Sequence, residues 1–394
     1  MIGDNIKFRS GEVLTKRFDT KTVHFQENDG EKNKSKAKPI YQTSSFAFND
    51  LNDMEEYFQG GKDHLYTRYS NPNTDDLGYG VAQLEGAPAG LATSSGMSAI
   101  LVGVLSIASP GDHMIVPLDL YGGTYSLFQQ EIQEWGLQVT VVDFKDHKNI
   151  EEAIQSNTKL LYAESVTNPL LRQENIEALT KFARNHELHA MIDNTFPSPY
   201  LIQPFTDGAD LVVHSATKYI GGHSDVSAGV LVGTEELIAK AKKKMINIGA
   251  NLSPFEAWLG CRGLKTLSLR MAKQSENAEK LARWFKKNTG ATVVYYPENL
   301  SEKGNGAMVS VDLGDDYDIY SFFESLGWIK IVPTLAGVET TVSYPLNTSH
   351  RTVPVEIRQQ LGITPGTARI SVGIEDSEDI IEQFSKALEH AKKS

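Results

Sequence analysis

From residue 113 onward the chain repeats one pattern. Short runs of β-branched or apolar residues end in a polar residue or a turn former, and most give way to helical periodicity. The runs are 113–117 (HMIVP), 138–143 (QVTVVD), 159–164 (KLLYAE), 188–193 (LHAMID), 210–215 (DLVVHS) and 228–232 (AGVLV). Helical periodicity marks 150–155, 176–186 and 235–247. Continuous apolar strands alternating with helices predict an α/β fold, a mainly parallel sheet sandwiched by helices. Residues 255–274 read as one long helix. Beyond it, strand-like 306–313 and 368–372 mix with helix-like 319–325 and 377–392, which predicts a smaller α+β C-terminal domain. Before the repeating pattern, 28–39 is polar and lysine-rich and reads as an exposed arm or linker. Residues 65–73 (LYTRYSNPN) are turn-rich, with aromatic and arginine side chains.

Length and charge narrow the classes. A chain of 394 residues exceeds one small core and predicts at least two domains. A net charge of -12 argues against nucleic acid or an anionic membrane as partner. The one cysteine, Cys261, has no internal disulfide partner and is expected to be a buried thiol. No run of 18 apolar residues exists, and 1–9 lack an apolar h-region, so a cytoplasmic protein is expected. No G-x-G-x-x-G follows the first strand-like run, which sets a dinucleotide-binding dehydrogenase aside.

In an open α/β sheet, ligands sit at the C-terminal ends of the strands. Lys218 stands just past one such end, in SATKYIGGHSD. A lysine desolvated there loses proton affinity and becomes a nucleophile for aldehydes. The glycines after it are expected to let a ligand approach the backbone. Asp193 closes the preceding strand. It fits a carboxylate that keeps a heterocyclic nitrogen protonated, or equally an N-cap. Ser94, Ser95, Gly96 and Met97 open an apolar helix over 99–107. Such a start presents free N–H groups to a phosphate, or is plain capping. Ser215 and Thr217 offer hydroxyls from the other side. Tyr121, in LYGGT, is either a ring-stacking acid/base group or an aromatic at a corner. Asn168 is a hydrogen-bond donor to a cofactor or a turn residue before Pro169. Arg369, in TARISVG, is a carboxylate binder or an arginine on the solvated face of an edge strand. No metal is expected.

These motifs resemble the Cys/Met-metabolism family of pyridoxal 5'-phosphate (PLP) enzymes, the trans-sulfuration group. The likeness runs from about Pro39 to Asp376, and DLVVHSATKYIGGHSDVSAG is its most specific part. The resemblance implies a fold-type-I PLP enzyme with an N-terminal arm over 1–65, a large PLP domain over 66–262 and a C-terminal domain over 263–394. It implies a homotetramer built from two catalytic dimers. Lys218 then matches the Schiff-base lysine, Asp193 the pyridinium partner and Tyr121 the stacking tyrosine. Gly96, Met97, Ser215 and Thr217 match the phosphate binders, and Tyr66 and Arg68 those lent by a neighbouring subunit. Arg369 and Asn168 match the pair for the substrate carboxylate. Thr334 heads TLAGVET, the counterpart of the family's S-L-G-G-x-E-S at the substrate pocket.

The implied activity is γ-elimination of cystathionine, methionine or homocysteine to a 2-oxo acid, ammonia and a thiol. The alternative is cystathionine γ-synthase-type replacement on an O-acylhomoserine. Five positions depart from the subgroup patterns. Pro333 stands where γ-lyases often carry Glu, and Gly123 where methionine γ-lyases carry Cys. Met245 and Ile246 replace a Lys-Asp pair, and Val166 the first proline of E-x-P-x-N-P.

Overall fold

The computed structural model describes residues 16–26 and 35–393. Residues 1–9 and most of the polar 28–39 stretch lie outside that range. Seven strands form the first sheet: β1 (Ala89–Thr93), β2 (His113–Pro117), β3 (Gln138–Val142), β4 (Thr158–Glu164), β5 (His189–Asp193), β6 (Leu211–His214) and β7 (Gly229–Gly233). Their spatial order is β1-β7-β6-β5-β4-β2-β3. Strands β2 to β6 pair in parallel, while β7 runs against both β1 and β6.

Alternation along the buried strands explains why they read as unbroken apolar runs. Met114 and Val116 join one core and Ile115 the other; Leu160 and Tyr162 face one way, Leu161 and Ala163 the opposite way. Each strand therefore feeds two hydrophobic layers. Helices Pro72–Glu85 and Ile176–Asn185 cover the Ile115 side, and Gly96–Ile107 and Glu235–Ile248 the Met114 side.

A second sheet holds β8 (Val293–Tyr295), β9 (Met308–Asp312), β10 (Lys330–Ile331), β11 (Thr341–Ser343) and β12 (Thr367–Ser371), in the order β10-β11-β12-β9-β8. Its own core includes Val309, Val311, Ile370 and Phe384. The predicted helix over 255–274 is in fact two, Pro254–Leu264 and Leu267–Asn288. The break has a cause. The Gly263 carbonyl accepts from Thr266 N at 3.1 Å and from Arg270 Nη2 at 2.7 Å, so the helical ladder is not continued from it. A Cβ on Gly263 would lie 2.2 Å from the Gly221 oxygen, so this turn is pressed against the segment after β6. The second helix puts Leu267 and Met271 into the core of the first sheet and Leu281 and Phe285 into that of the second.

Candidate active site

Strands β4 and β5 end side by side, with Glu164 and Asp193 as direct register partners. Two adjacent carboxyls out of water resist ionising together. Burial, and then the charge of Asp193, pushes Glu164 well above the usual carboxylate range. Its Oε1 accepts the Tyr121 backbone N–H at 2.6 Å. Burial also raises Asp193, but its other neighbours oppose the shift. Thr195 N–H donates to its Oδ1 at 2.9 Å, the Tyr162 hydroxyl to its Oδ2 at 3.4 Å, and His214 acts in the same sense.

Beyond β6 the chain coils tightly. Lys218 N bonds Ser215 O at 3.0 Å, Gly221 N bonds Ala216 O at 2.8 Å and Gly222 N bonds Lys218 O at 2.8 Å. Lys218 Nζ donates to Thr334 Oγ1 at 2.9 Å. Burial, helped by the nearby Arg369 charge, lowers the Lys218 amine to about 8. Such an amine is neutral far more often than a surface lysine.

The glycines after Lys218 do not serve the expected purpose. A Cβ on Gly221 would meet Val226 at 2.5 Å, and one on Gly222 would meet Arg270 Nη1 at 2.0 Å. Protein, not ligand, fills that space. Arg270 is buried and donates to the carbonyls of Tyr219 and Gly263, each at 2.7 Å. Gly222 also has a φ of 71°, a conformation that suits glycine.

Gly96 opens helix Gly96–Ile107 opposite this coil. A Cβ there would sit 2.8 Å from Ser215 Cβ, so only glycine allows the approach. The Ser95 hydroxyl accepts Ser98 N–H at 3.1 Å. The N–H groups of Gly96 and Met97 are left in the first turn, where a helix has no acceptor of its own. The Thr217 hydroxyl is engaged already: it donates to Ala228 O at 3.2 Å and accepts from Ala228 N at 3.0 Å.

Arg369 lies in β12, paired on both sides by β9 and β11, and is 2% exposed. It is therefore no edge-strand arginine. Its Nη1 donates to Asn168 Oδ1 at 2.8 Å and its Nη2 reaches Thr334 O at 3.5 Å. Its Nε is buried without a partner among the described residues. Burial lowers the guanidinium to about 10. His350 packs near it. Burial, with Arg369 as the second cause, holds that imidazole down at about 4. Lys218, Thr334, Arg369 and Asn168 thus form one connected string.

Tyr121 is 41% exposed, and a Cβ on Gly123 would touch its ring at 2.6 Å, so glycine there leaves the ring its place. Tyr66 and Arg68 stand apart from that string. The Arg68 guanidinium lies 5.7 Å from the Tyr66 ring centroid and 5.2 Å from that of Tyr69, and donates to Ile246 O at 3.3 Å.

A family model described as Cys/Met metabolism PLP-dependent enzyme matches residues 19–389. The chain belongs to that family. Its relatives include a cystathionine beta-lyase of Lactococcus lactis subsp. cremoris, 38% identical over 381 residues, covering 94% of this chain and 98% of the other. Among solved structures, cystathionine gamma-lyase from Lactobacillus plantarum, in complex with L-serine, superposes with a TM-score of 0.89 at 34% identity. It covers 95% of this chain and 99% of its own. A putative O-acetylhomoserine (thiol)-lyase from Campylobacter jejuni, 28% identical, gives the same TM-score of 0.89 over 94% and 99% of the two chains. It carries N'-pyridoxyl-lysine-5'-monophosphate. As a member of this family, the chain is a PLP-dependent enzyme.

The residues fit PLP. A low-affinity amine, a glycine-lined helix start and a carboxylate at the end of β5 meet the needs of an aldehyde, a phosphate and a pyridine nitrogen. The orphaned Arg369 Nε marks unfilled demand for an anion beside them. Among the described residues, no helix is long and apolar enough to cross a membrane.

Sequence reasoning missed Glu164, Tyr162, His350, Arg270 and the Lys218–Thr334 contact. Glu164 was visible as the head of ESVTNP; the others carry no local signal.

Proposed function

We propose that the chain is a carbon–sulfur lyase that removes the γ-substituent of cystathionine, methionine or homocysteine, giving a 2-oxo acid, ammonia and a thiol. What carries the reading is the string that sets the Lys218 amine 2.9 Å from Thr334, whose carbonyl in turn lies 3.5 Å from the Arg369 guanidinium. One group is suited to a cofactor aldehyde and the other to a substrate carboxylate, and Thr334 touches both.

PLP, when bound, supplies the aldehyde and a ring that accepts electrons. Lys218 would hold its aldehyde, and the same amine would carry protons at the substrate Cα and Cβ. Asp193 would hold the ring nitrogen protonated. Gly96, Met97 and Ser215 would take the phosphate, and Thr217 would join them by turning its hydroxyl away from the Ala228 carbonyl. Tyr121 would face the ring, and its phenol would give a proton to the departing sulfur. Arg369, held by Asn168, takes the α-carboxylate in a charge-assisted pair, with Thr334 steadying the Lys218 amine.

The alternative is γ-replacement, in which cysteine adds where an O-acyl group leaves homoserine. Pro333 and Gly123, which depart from the γ-lyase and methionine γ-lyase patterns, favour keeping it. One panel decides. Cystathionine is expected to yield a four-carbon 2-oxo acid and cysteine. Pyruvate with homocysteine would instead mean β-elimination. Cystathionine made from acylhomoserine and cysteine, with no oxo acid from any thioether, would install the synthase.

The same reading makes the protein a cytoplasmic homotetramer of two catalytic dimers. Tyr66 and Arg68 then reach the phosphate of a neighbouring subunit, which accounts for their place outside the string around Lys218. Mixing inactive Arg68→Ala with inactive Lys218→Ala chains is expected to restore part of the activity. No recovery in mixed oligomers would remove the shared site.

A further inference from the structure

Behind the C-terminal ends of β5 and β6 lies a polar cluster that the mechanism above does not use. Glu85, at the end of helix Pro72–Glu85, is fully buried, and His214, the last residue of β6, is 1% exposed. Glu85 Oε1 accepts from His214 Nε2 and from Asn194 Nδ2, each at 2.9 Å. Asn194 follows Asp193 directly, and its Oδ1 accepts the Ser165 hydroxyl at 2.9 Å. That hydroxyl also contacts the Asp193 carbonyl at 3.1 Å. Val213, one residue before His214, is the register partner of Asp193.

Two atoms of this cluster, Glu85 Oε2 and His214 Nδ1, are buried with no hydrogen-bond partner among the described residues. A second proton on the His214 ring leaves its Nδ1–H without an acceptor, a cost that the attraction between ring and carboxylate has to exceed. A buried carboxylate also requires a countercharge close by. The imidazole 2.9 Å away supplies it when it carries both protons. Its charge then lies where Asp193 feels it, and that influence favours the ionised form. From the other side, Glu164 and the Tyr162 hydroxyl face Asp193 from β4, and Thr195 from its own segment.

We propose that Glu85 and His214 form a buried carboxylate–imidazolium pair that acts through Asp193, keeping its carboxylate charged in the dry interior at the end of β5. The pair consists of positioning residues: neither touches cofactor or substrate in the proposed mechanism. The inference rests on the reading that Asp193 meets the PLP ring nitrogen.

The test reads protons rather than turnover. In the wild-type holoenzyme, neutron diffraction should show deuterium on both nitrogens of His214. A singly protonated ring overturns the proposal without any variant. In parallel, protein loaded with PLP labelled with nitrogen-15 at the ring position is compared by NMR between wild type, Glu85→Gln and the double variant Glu85→Gln/His214→Gln. Glu85→Gln removes the carboxylate charge and with it the reason for the second proton on His214, and the double variant removes both ionisable groups. The wild-type signal should lie in the protonated-pyridine range at neutral pH. Both variants should move toward the unprotonated range while keeping wild-type circular dichroism. A protonated signal in all three proteins means that the pair only braces the fold, and overturns the inference alone. An unprotonated signal in the wild type instead removes the assignment of Asp193 on which it rests.

Discussion

The backbone N–H of Tyr121 donates to Oε1 of Glu164 at 2.6 Å, tying a loop tyrosine to the end of β4. Glu164 is pushed toward its protonated form, because burial and Asp193 both disfavour its charge. Glutamine mimics a protonated glutamic acid, with one acceptor oxygen and one donor. Glu164→Gln is therefore expected to change stability by less than about 1 kcal/mol. Glu164→Ala, which strands the Tyr121 N–H, should cost about 1–3 kcal/mol. Denaturant unfolding of both variants checks this, and the opposite ranking would show that the group works ionised.

Lys218 is expected to capture PLP through its neutral amine. Its value of about 8 lies below that of an ordinary lysine. The sign follows: below that pH the amine is protonated and inert, and above it the reactive form dominates. The rate of PLP capture by coenzyme-free protein should rise as pH passes through about 8 and then level off. Stopped-flow absorbance between pH 6 and 10 measures it. A profile still climbing at pH 10 would mean that the amine is not desolvated.

Replacing Lys218 with alanine should remove both the covalent attachment and the proton shuttle. Turnover is expected to fall by at least about 10²–10⁴-fold, the contribution usual for acid–base catalysis. The visible absorbance of the bound coenzyme should vanish with it. An alanine variant that stays yellow and active would end the reading.

Arg369→Lys keeps the charge and loses the planar fork. A charge-assisted hydrogen bond contributes about 1.5–3 kcal/mol. KM for the amino acid should therefore rise about tenfold to a hundredfold, with a smaller change in kcat. Steady-state kinetics on the best substrate separates the two. A fall in kcat alone would place the arginine away from the ground-state carboxylate.

Arg270 holds the coil after Lys218 by its carbonyl oxygens. Arg270→Ala leaves those oxygens unpaired and should destabilise the protein by about 3 kcal/mol. Gly222→Ala drives a methyl into the same guanidinium and should be destabilising too, by thermal unfolding. The double variant should cost less than the sum, since the clash disappears with the arginine.

Local periodicity made the first sheet legible from β2 onward. Residues 113–117 read as a strand and form one, because five buried residues in a row leave few alternatives. β1 escaped notice for a packing reason. It is Ala-Gly-Leu-Ala-Thr, and a Cβ on Gly90 would lie 2.1 Å from Gly78 O, so closeness to a helix selects small residues with weak strand preference. The reversed direction of β7 is set by its neighbours and leaves no trace in GVLVG. At the site, motifs marked Lys218, Thr334, Asn168 and Arg369 one by one. The contact between Lys218 and Thr334 spans 116 residues and that between Arg369 and Asn168 spans 201, so only folding joins them. The pair of Glu85 and His214, 129 residues apart, left no joint mark in the sequence for the same reason.

Arg369 belongs to the second sheet, yet its amide partner Asn168 hangs from β4 of the first. The Ser310 hydroxyl of β9 repeats the crossing, donating to Pro169 O at 2.6 Å. An amino acid gripped here would rivet two bodies that each have a separate hydrophobic interior. An analogue with an intact carboxylate would add its own link to the one that helix Leu267–Asn288 already makes between the two cores, and a decarboxylated amine would not.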